Sequence, residues 1–107
     1  GEVILDEMSF DDIVLHLDQS KLSCSKNLKS IHLNFKECEL LKMFMSKPNV
    51  IISKQDLITR IWGYDSDAGD NNVEAYVSFL RKKLNFVESN VEIVSLKKLG
   101  YKLTTKI

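Results

Sequence analysis

The chain has 107 residues, of which 44% are hydrophobic and 28% are charged, and its formal net charge is zero. This length predicts one domain, and the apolar fraction is sufficient for a buried core, which excludes a disordered chain. No apolar run approaches the roughly 20 residues of a membrane span, and the acidic N-terminus is unlike a signal peptide. We therefore expect a cytoplasmic protein with no membrane partner.

Charge is distributed unevenly along the chain. Residues 1–70 carry 8 Lys and Arg against 12 Asp and Glu, a net charge of −4, whereas residues 71–107 carry 7 against 3, a net charge of +4. A chain divided in this way can present a basic face to phosphates. Its non-specific affinity for nucleic acid should be weaker than that of a uniformly basic domain.

The N-terminal third alternates apolar and polar residues, which is typical of strands. Ile13, Leu15 and Leu17 point one way, and the segments between strands contain residues that favour turns. The predicted elements are strands at 3–5, 13–17, 22–25 and 30–33, with turns at Gln19–Ser20 and Asn27. We expect a small antiparallel sheet that covers a core on one face and carries no chemistry.

A first helix is predicted after Asn34, which is suited to an N-cap with Glu37 in the capping-box position. Pro48 ends the helix because its ring disfavours helical backbone at the preceding residue. The predicted buried stripe consists of Phe35, Cys38, Leu41 and Met45, widened by Leu40 and Phe44.

A second helix should begin after Ser53, an N-cap with Asp56 three residues later, and end at Gly63. Its inward residues are Leu57, Ile58 and Ile61. Trp62, at its end, is open to two interpretations, packing or contact with a partner.

Residues 63–70 form an acidic linker that contains Asp65, Asp67 and Asp70. Eight residues are more than the three or four of a simple helix-turn-helix turn. The Glu and Gly of a calcium loop are not at the required offsets, so we do not expect a calcium site. Asp70 or Asn71 is predicted to cap the following helix.

The third helix is predicted over residues 71–84, with two different faces. The inward stripe is formed by Val73, Val77, Leu80 and Leu84, with Tyr76 at its edge. The outer side is polar and basic, and its members are Asn71, Ala75, Ser78 and Lys82, flanked by Glu74, Phe79 and Arg81. Lys83 should extend along the edge of the core.

A hairpin follows, from about residue 91 to residue 103, and turns near Lys97–Leu99. A polar-basic helix followed by a basic hairpin indicates DNA binding, because a helix fits the major groove and a hairpin tip can reach phosphates or the minor groove.

The remaining residue types give little support to an enzyme. There is no Gly-rich phosphate loop and no nucleophile motif. Cys24 and Cys38 fit no metal-ligand spacing with His16 and His32, so we expect no cofactor and two reduced structural cysteines. A disulfide or a metal site is the alternative for the cysteines, and the histidines should be structural or solvent-facing.

Residues 13–105 resemble the DNA-binding effector domain of the OmpR/PhoB family of response regulators. The matching motifs recur in order. They are Leu33, Glu37, Leu40 and Leu41 in the first helix, Trp62-Gly63-Tyr64 at the end of the second, the segment VEAYVSFLRKKL, and Gly100-Tyr101 near the end.

The resemblance implies an α+β winged helix-turn-helix. This fold has an N-terminal four-stranded antiparallel sheet (1–33), a three-helix core (34–84) and a C-terminal β-hairpin wing (91–105). The implied function is sequence-specific transcriptional regulation in a bacterial two-component system. We expect one copy in solution and two on tandem half-sites of double-stranded DNA, with a receiver domain elsewhere in the full-length protein.

The resemblance also implies individual contacts. The DNA-binding positions that it implies are Lys54, Asn71, Asn72, Tyr76, Ser78, Phe79, Arg81, Ser95 and Lys97. The basic runs of the sequence add Lys82 and Lys98. The loop residues Tyr64, Asp65 and Asp67 match a loop that contacts RNA polymerase in the family. The alternative is that the loop is merely solvated and contacts no partner, with Asp70 serving only to cap the third helix.

Two departures from the family pattern concern the DNA-facing positions. Ser78-Phe79 replaces a common Arg-Arg pair, which removes guanine readout but allows contact with a thymine methyl. Lys97-Lys98 replaces Arg-Gly at the wing. Phe79 could instead pack against a neighbouring loop. These departures and the zero net charge favour the rival function, a winged helix with a degenerate DNA face used for protein contacts.

Overall fold

The computed structural model describes residues 6–106, in which a sheet, three helices and a hairpin follow one another along the chain. The elements are β1 (Glu7–Phe10), β2 (Ile13–His16), β3 (Lys21–Cys24), β4 (Ser30–His32), α1 (Phe35–Ser46), α2 (Lys54–Trp62), α3 (Asp70–Phe86), β5 (Val91–Leu96) and β6 (Gly100–Thr105). The expected winged-helix fold is confirmed. None of these three helices is long and apolar enough to cross a bilayer.

The N-terminal sheet is antiparallel, with its four strands in chain order. Ile13 pairs with Cys24 and Leu15 with Leu22, and all four side chains are buried on the face that covers the helices. The predicted strand at 3–5 lies outside the described residues. β1 was not predicted, because its alternation of polar and apolar residues covers only four positions and includes no β-branched residue.

The predicted helix caps of α1 and α2 are confirmed. Asn34 Oδ1 accepts a hydrogen bond from Glu37 N at 2.9 Å, and Glu37 Oε1 accepts one from Asn34 N at 2.8 Å. Ser53 Oγ accepts from Asp56 N at 3.1 Å. α2 closes at Gly63, whose φ of 94° favours glycine.

The predicted burial of Phe35 is wrong, since its side chain is 73% exposed. The position one turn before Leu41 on the inward face is Glu37, not Phe35. Glu37 is therefore buried, and Leu33, just before the cap, fills the apolar space at this end of the helix.

Burial of Glu37 is balanced by Lys83, which does more than extend along the edge of the core. Lys83 Nζ donates to Glu37 Oε1 at 2.6 Å and to the His32 carbonyl oxygen at 2.9 Å. The pair joins the start of α1 to the C-terminal half of α3. Its two residues are 46 positions apart in the sequence.

Backbone pairing fixes the wing to the segment before α2. Tyr101 and Ile52 exchange hydrogen bonds of 2.8 and 3.0 Å, and Asn49 N donates to Leu103 O at 2.8 Å. β6 therefore has β5 on one side and residues 49–52 on the other. Gly100 is required at this contact, since a Cβ there would lie 2.1 Å from Ile52 O.

Asp12 joins the N-terminal sheet to the loop between α3 and β5. Its carboxylate accepts hydrogen bonds from Ser89 Oγ at 2.6 Å and Asn90 N at 2.8 Å. Burial alone would raise the pKa of Asp12, but these hydrogen bonds and the thiol of Cys24 outweigh it and lower the pKa. The stabilisation is thus present above the unfolded-state pKa and is lost as the pH falls through the lower folded-state pKa.

Cys24 and Cys38 are both buried and carry free thiols. Cys38 lies on the inward face of α1, as the sequence indicated, and burial raises the pKa of its thiol. The two side chains therefore serve as small apolar groups of the core.

Candidate nucleic-acid interface

α3 buries the predicted stripe and exposes the predicted outer face. The fully buried side chains are Val73, Val77, Leu80 and Leu84. The helix begins one residue before the predicted range 71–84 and ends two residues after it. The exposed residues of the opposite side are Asn71, Asn72, Glu74, Ala75, Ser78, Phe79 and Lys82.

The predicted cap of α3 is wrong, because Gly69 occupies the N-cap position instead of Asp70 or Asn71. Glycine has no side chain that could accept a hydrogen bond from the first turn of the helix. The side chain of Asn72, in the first turn, instead accepts one from the backbone of the N-cap residue. Asn72 Oδ1 accepts from Gly69 N at 3.0 Å, and Asn72 N donates to Gly69 O at 3.0 Å. The carbonyl end of the Asn72 side chain is thus held at the helix start, and its amide nitrogen is the group left for a ligand.

Three aromatic rings form a row from the end of α2 to the outer face of α3. Trp62 and Tyr76 have ring centroids 5.4 Å apart, and Tyr76 and Phe79 have centroids 5.3 Å apart, both in edge-to-face geometry. Lys36 Nζ lies 5.5 Å from the Trp62 ring. The row supports the packing interpretation of Trp62. Phe79, at its outer end, packs on Tyr76 yet keeps 42% of its surface exposed.

Lys54 is engaged by the acidic residues at the start of α3. Its Nζ lies 3.3 Å from Glu74 Oε1 and 3.9 Å from Asp70 Oδ2. The hydrogen bond to Glu74 is the main cause that raises the pKa of Lys54. Any phosphate at Lys54 would have to share this ammonium group with two carboxylates.

Arg81 is also engaged within the molecule, which the sequence did not indicate. Its Nε and Nη2 donate to Ile93 O at 3.0 and 2.8 Å, and the guanidinium carbon lies 5.9 Å from the centre of the Tyr101 ring. The bond joins α3 to β5. No local sequence pattern predicts this hydrogen bond, because the acceptor is a backbone carbonyl 12 residues away.

The wing tip is exposed and basic. Ser95, Lys97, Lys98 and Leu99 are all exposed, and Leu99 N closes the turn by donating to Leu96 O at 3.0 Å. Lys98 has a φ of 66° at the position where the family pattern has glycine. The turn therefore keeps its left-handed residue, at a conformational cost of about 1 kcal/mol for a side chain with a Cβ.

A cleft of about 280 Å³ brings the wing tip to the starts of α2 and α3. Its walls are formed by Ser53, Lys54, Gln55, Asp70, Lys98, Leu99 and Gly100. Lys54 and Lys98, which are 44 positions apart in the sequence numbering, thus face one opening.

The loop between α2 and α3 exposes its acidic and aromatic residues. Tyr64 is 90% exposed, and Asp65 and Asp67 are exposed as well. Ser66 Oγ accepts from Ala68 N at 2.9 Å, which gives the loop a local turn. Between residues 6 and 106, no group of three or more His, Cys, Asp or Glu side chains is arranged to hold a metal ion.

Comparison with known proteins decides the family. Residues 28–103 match the family described as "Transcriptional regulatory protein, C terminal". The chain belongs to this family. The transcriptional regulatory protein DltR of Streptococcus agalactiae is 35% identical over 97 residues, which cover 91% of this chain and 42% of DltR. The heme response regulator HssR of Staphylococcus saprophyticus is 35% identical over 89 residues, or 83% of this chain and 40% of HssR.

A solved structure extends the likeness to three dimensions. The DNA-binding domain of Escherichia coli CadC superposes with a TM-score of 0.80 and 25% identity, and the match covers 94% of each chain. The family match and the relatives named as regulators confirm the OmpR/PhoB resemblance. The chain spans about two fifths of the length of the curated relatives that it matches.

Proposed function

We propose that this chain binds double-stranded DNA sequence-specifically, as the effector domain of a two-component response regulator. α3 would lie in the major groove, and Lys97 and Lys98 would reach the minor groove or the phosphates. The observation that carries the proposal is the juxtaposition of an exposed polar helix face with a basic hairpin tip. A major groove about 12 Å wide admits a helix of this kind.

The family and the names of relatives support this function. The matched family consists of transcriptional regulatory proteins, one relative is named a response regulator, and CadC was solved as a DNA-binding domain. In the full-length protein, a receiver domain would control how two copies occupy tandem half-sites. The domain alone would remain a monomer in the cytoplasm, and a weak attraction between copies would suffice on DNA because binding of the second copy gains from the proximity of the first.

The rival function, a winged helix for protein contacts, is favoured by one observation. The charges of Lys54 and Arg81 are engaged inside the molecule, which reduces the free positive charge near α3. A mobility shift on duplex DNA at several salt concentrations separates the two functions, because DNA binding releases counterions and its affinity therefore falls as the salt concentration rises, whereas a protein-contact module would not shift the DNA.

We expect Lys82→Ala and Lys97→Ala each to weaken binding on every DNA sequence. Both side chains are exposed, one on the outer face of α3 and one at the wing tip. Each variant should lower the slope of log affinity against log salt by about one charge. Lys42→Ala, on α1, is the matched control and should leave the slope unchanged. Equal slopes for all three variants and the parent would contradict this orientation on DNA.

We expect Phe79→Ala to weaken binding to the preferred sequence more than binding to random DNA. The exposed edge of Phe79 can contact a thymine methyl, and the asparagines at the start of α3 suit adenine. The preferred half-sites should thus be rich in A·T pairs. The measurement is a competition titration with specific and random duplexes. An equal loss of affinity for both duplexes would assign Phe79 to packing alone.

We propose that the acidic loop contacts RNA polymerase through Tyr64, Asp65 and Asp67. Asp65→Ala and Asp67→Ala should keep DNA affinity and lower transcription in a reconstituted assay, because both side chains are exposed and precede the first residue of α3. Asp18→Ala, in the exposed turn between β2 and β3, is the control. Unchanged transcription in both loop variants would contradict the polymerase contact and show that the loop is merely solvated.

A further inference from the structure

Arg81 connects α3 to the outer edge of the wing. β5 pairs with β6 on one side, and on the other side its Ile93 carbonyl oxygen accepts two hydrogen bonds from the Arg81 guanidinium, at 2.8 and 3.0 Å. Ile93 is buried, so its carbonyl oxygen depends on Arg81 for these hydrogen bonds and would be left without them if Arg81 were replaced.

Tyr101 extends the same connection to α2. Its ring lies 5.9 Å from the Arg81 guanidinium carbon and 5.9 Å from Lys54 Nζ, and its backbone pairs with Ile52. Lys54 in turn contacts Glu74 on α3. The start of α2, the middle of α3 and both strands of the wing are thus linked through one buried ring and one guanidinium group.

We infer that Arg81 is a positioning residue that sets the place of the wing relative to α3, so that both engage DNA as one unit. The inference deepens the proposed function and rests on it. In the alternative role that the family resemblance implies for Arg81, the side chain contacts a phosphate as an independent charge.

Arginine and lysine differ in their ability to hold the wing in place relative to α3. The planar guanidinium donates two hydrogen bonds in a fixed fork and lies 5.9 Å from the centre of the Tyr101 ring, whereas an ammonium group is a compact charge on a flexible stem. Arg81→Lys therefore keeps the charge and loses the geometry. A phosphate contact tolerates this change, but a positioning contact does not.

The test is a double-mutant cycle on DNA affinity between Arg81→Lys and Lys97→Ala. If Arg81 positions the wing, Lys97 makes a poorer contact when Arg81 is replaced, and the two effects will be non-additive by about threefold or more. Arg81→Lys will also weaken binding by itself. Additive effects, or parental affinity for Arg81→Lys, would overturn the inference. Asn71→Ala, about 15 Å away along α3, replaces Lys97→Ala in a control cycle, which should be additive.

NMR of the free parent domain tests the bond itself without DNA. The Nε proton of Arg81 should exchange with water much more slowly than that of Arg60, which is exposed on α2. Equal exchange rates would overturn the inference even if a variant failed to fold. If the parent binds no DNA while the Arg81 proton is protected, the proposed function fails and the contact between α3 and the wing stands.

Discussion

Gly100→Ala will destabilise the domain by about 4 kcal/mol, a large part of the stability of a small domain. Gly100 has a φ of 140°, and an added Cβ would lie 2.1 Å from Ile52 O, 2.8 Å from Ile52 C and 2.9 Å from Ser53 Cα. All three are backbone atoms, so no side chain can move away to relieve the clash. The wing and the segment before α2 would have to separate.

Gly69→Ala is the matched control for this substitution. Gly69 has a φ of −126°, and no atom lies within 4 Å of the position of a Cβ. Its replacement puts the less favoured alanine at the N-cap of α3 and should cost about 1 kcal/mol, far less than the loss expected for Gly100→Ala. Urea denaturation followed by circular dichroism measures both variants. A Gly100→Ala midpoint equal to that of Gly69→Ala would show that the wing is not held against Ile52.

Lys83→Met will destabilise the domain by about 3 kcal/mol, because it leaves the carboxylate of Glu37 buried without its cation. The side chain of Glu37 is only 3% exposed, and Lys83 Nζ lies 2.6 Å from it. Lys42→Met removes the partner of Glu39 in a pair 3.5 Å apart whose side chains are 40% and 37% exposed. This control should cost less than about 0.5 kcal/mol.

A second substitution separates the buried charge from packing. In Glu37→Gln/Lys83→Met, the glutamine oxygen can still accept the hydrogen bond from Asn34 N, but no charge remains buried. The double variant should therefore be more stable than Lys83→Met alone in the same urea experiment. A double variant less stable than Lys83→Met would assign the loss to the packing of the lysine stem.

Local chemistry made much of the fold predictable. The caps at Asn34 and Ser53 involve residues three positions apart, so their hydrogen bonds follow from side-chain type and spacing. The inward stripe of α3 follows from helical periodicity in the same way. Phe35 was misplaced because hydrophobicity alone cannot tell which residue at a helix start faces the core. The cap at Gly69 was missed because the accepting group belongs to Asn72.

The site was predictable only as a surface. The outer face of α3 and the wing tip are exposed as the periodicity and the hairpin pattern indicated. The partners of Lys54 and Arg81 could not be read from the sequence, because they lie 20 and 12 residues away and depend on how the helices and wing pack. The structure shows that both cations have partners within the molecule, which reduces the free positive charge near α3.

Selection from a pool of random duplex DNA tests the central claim most directly. The domain would be incubated with the pool at low and at physiological salt, and the retained DNA would be sequenced over several rounds. We predict enrichment of two tandem A·T-rich half-sites, with retention that falls as salt rises. A pool that stays random at both salt concentrations, with no salt-dependent retention, would contradict DNA recognition and favour a protein-contact module.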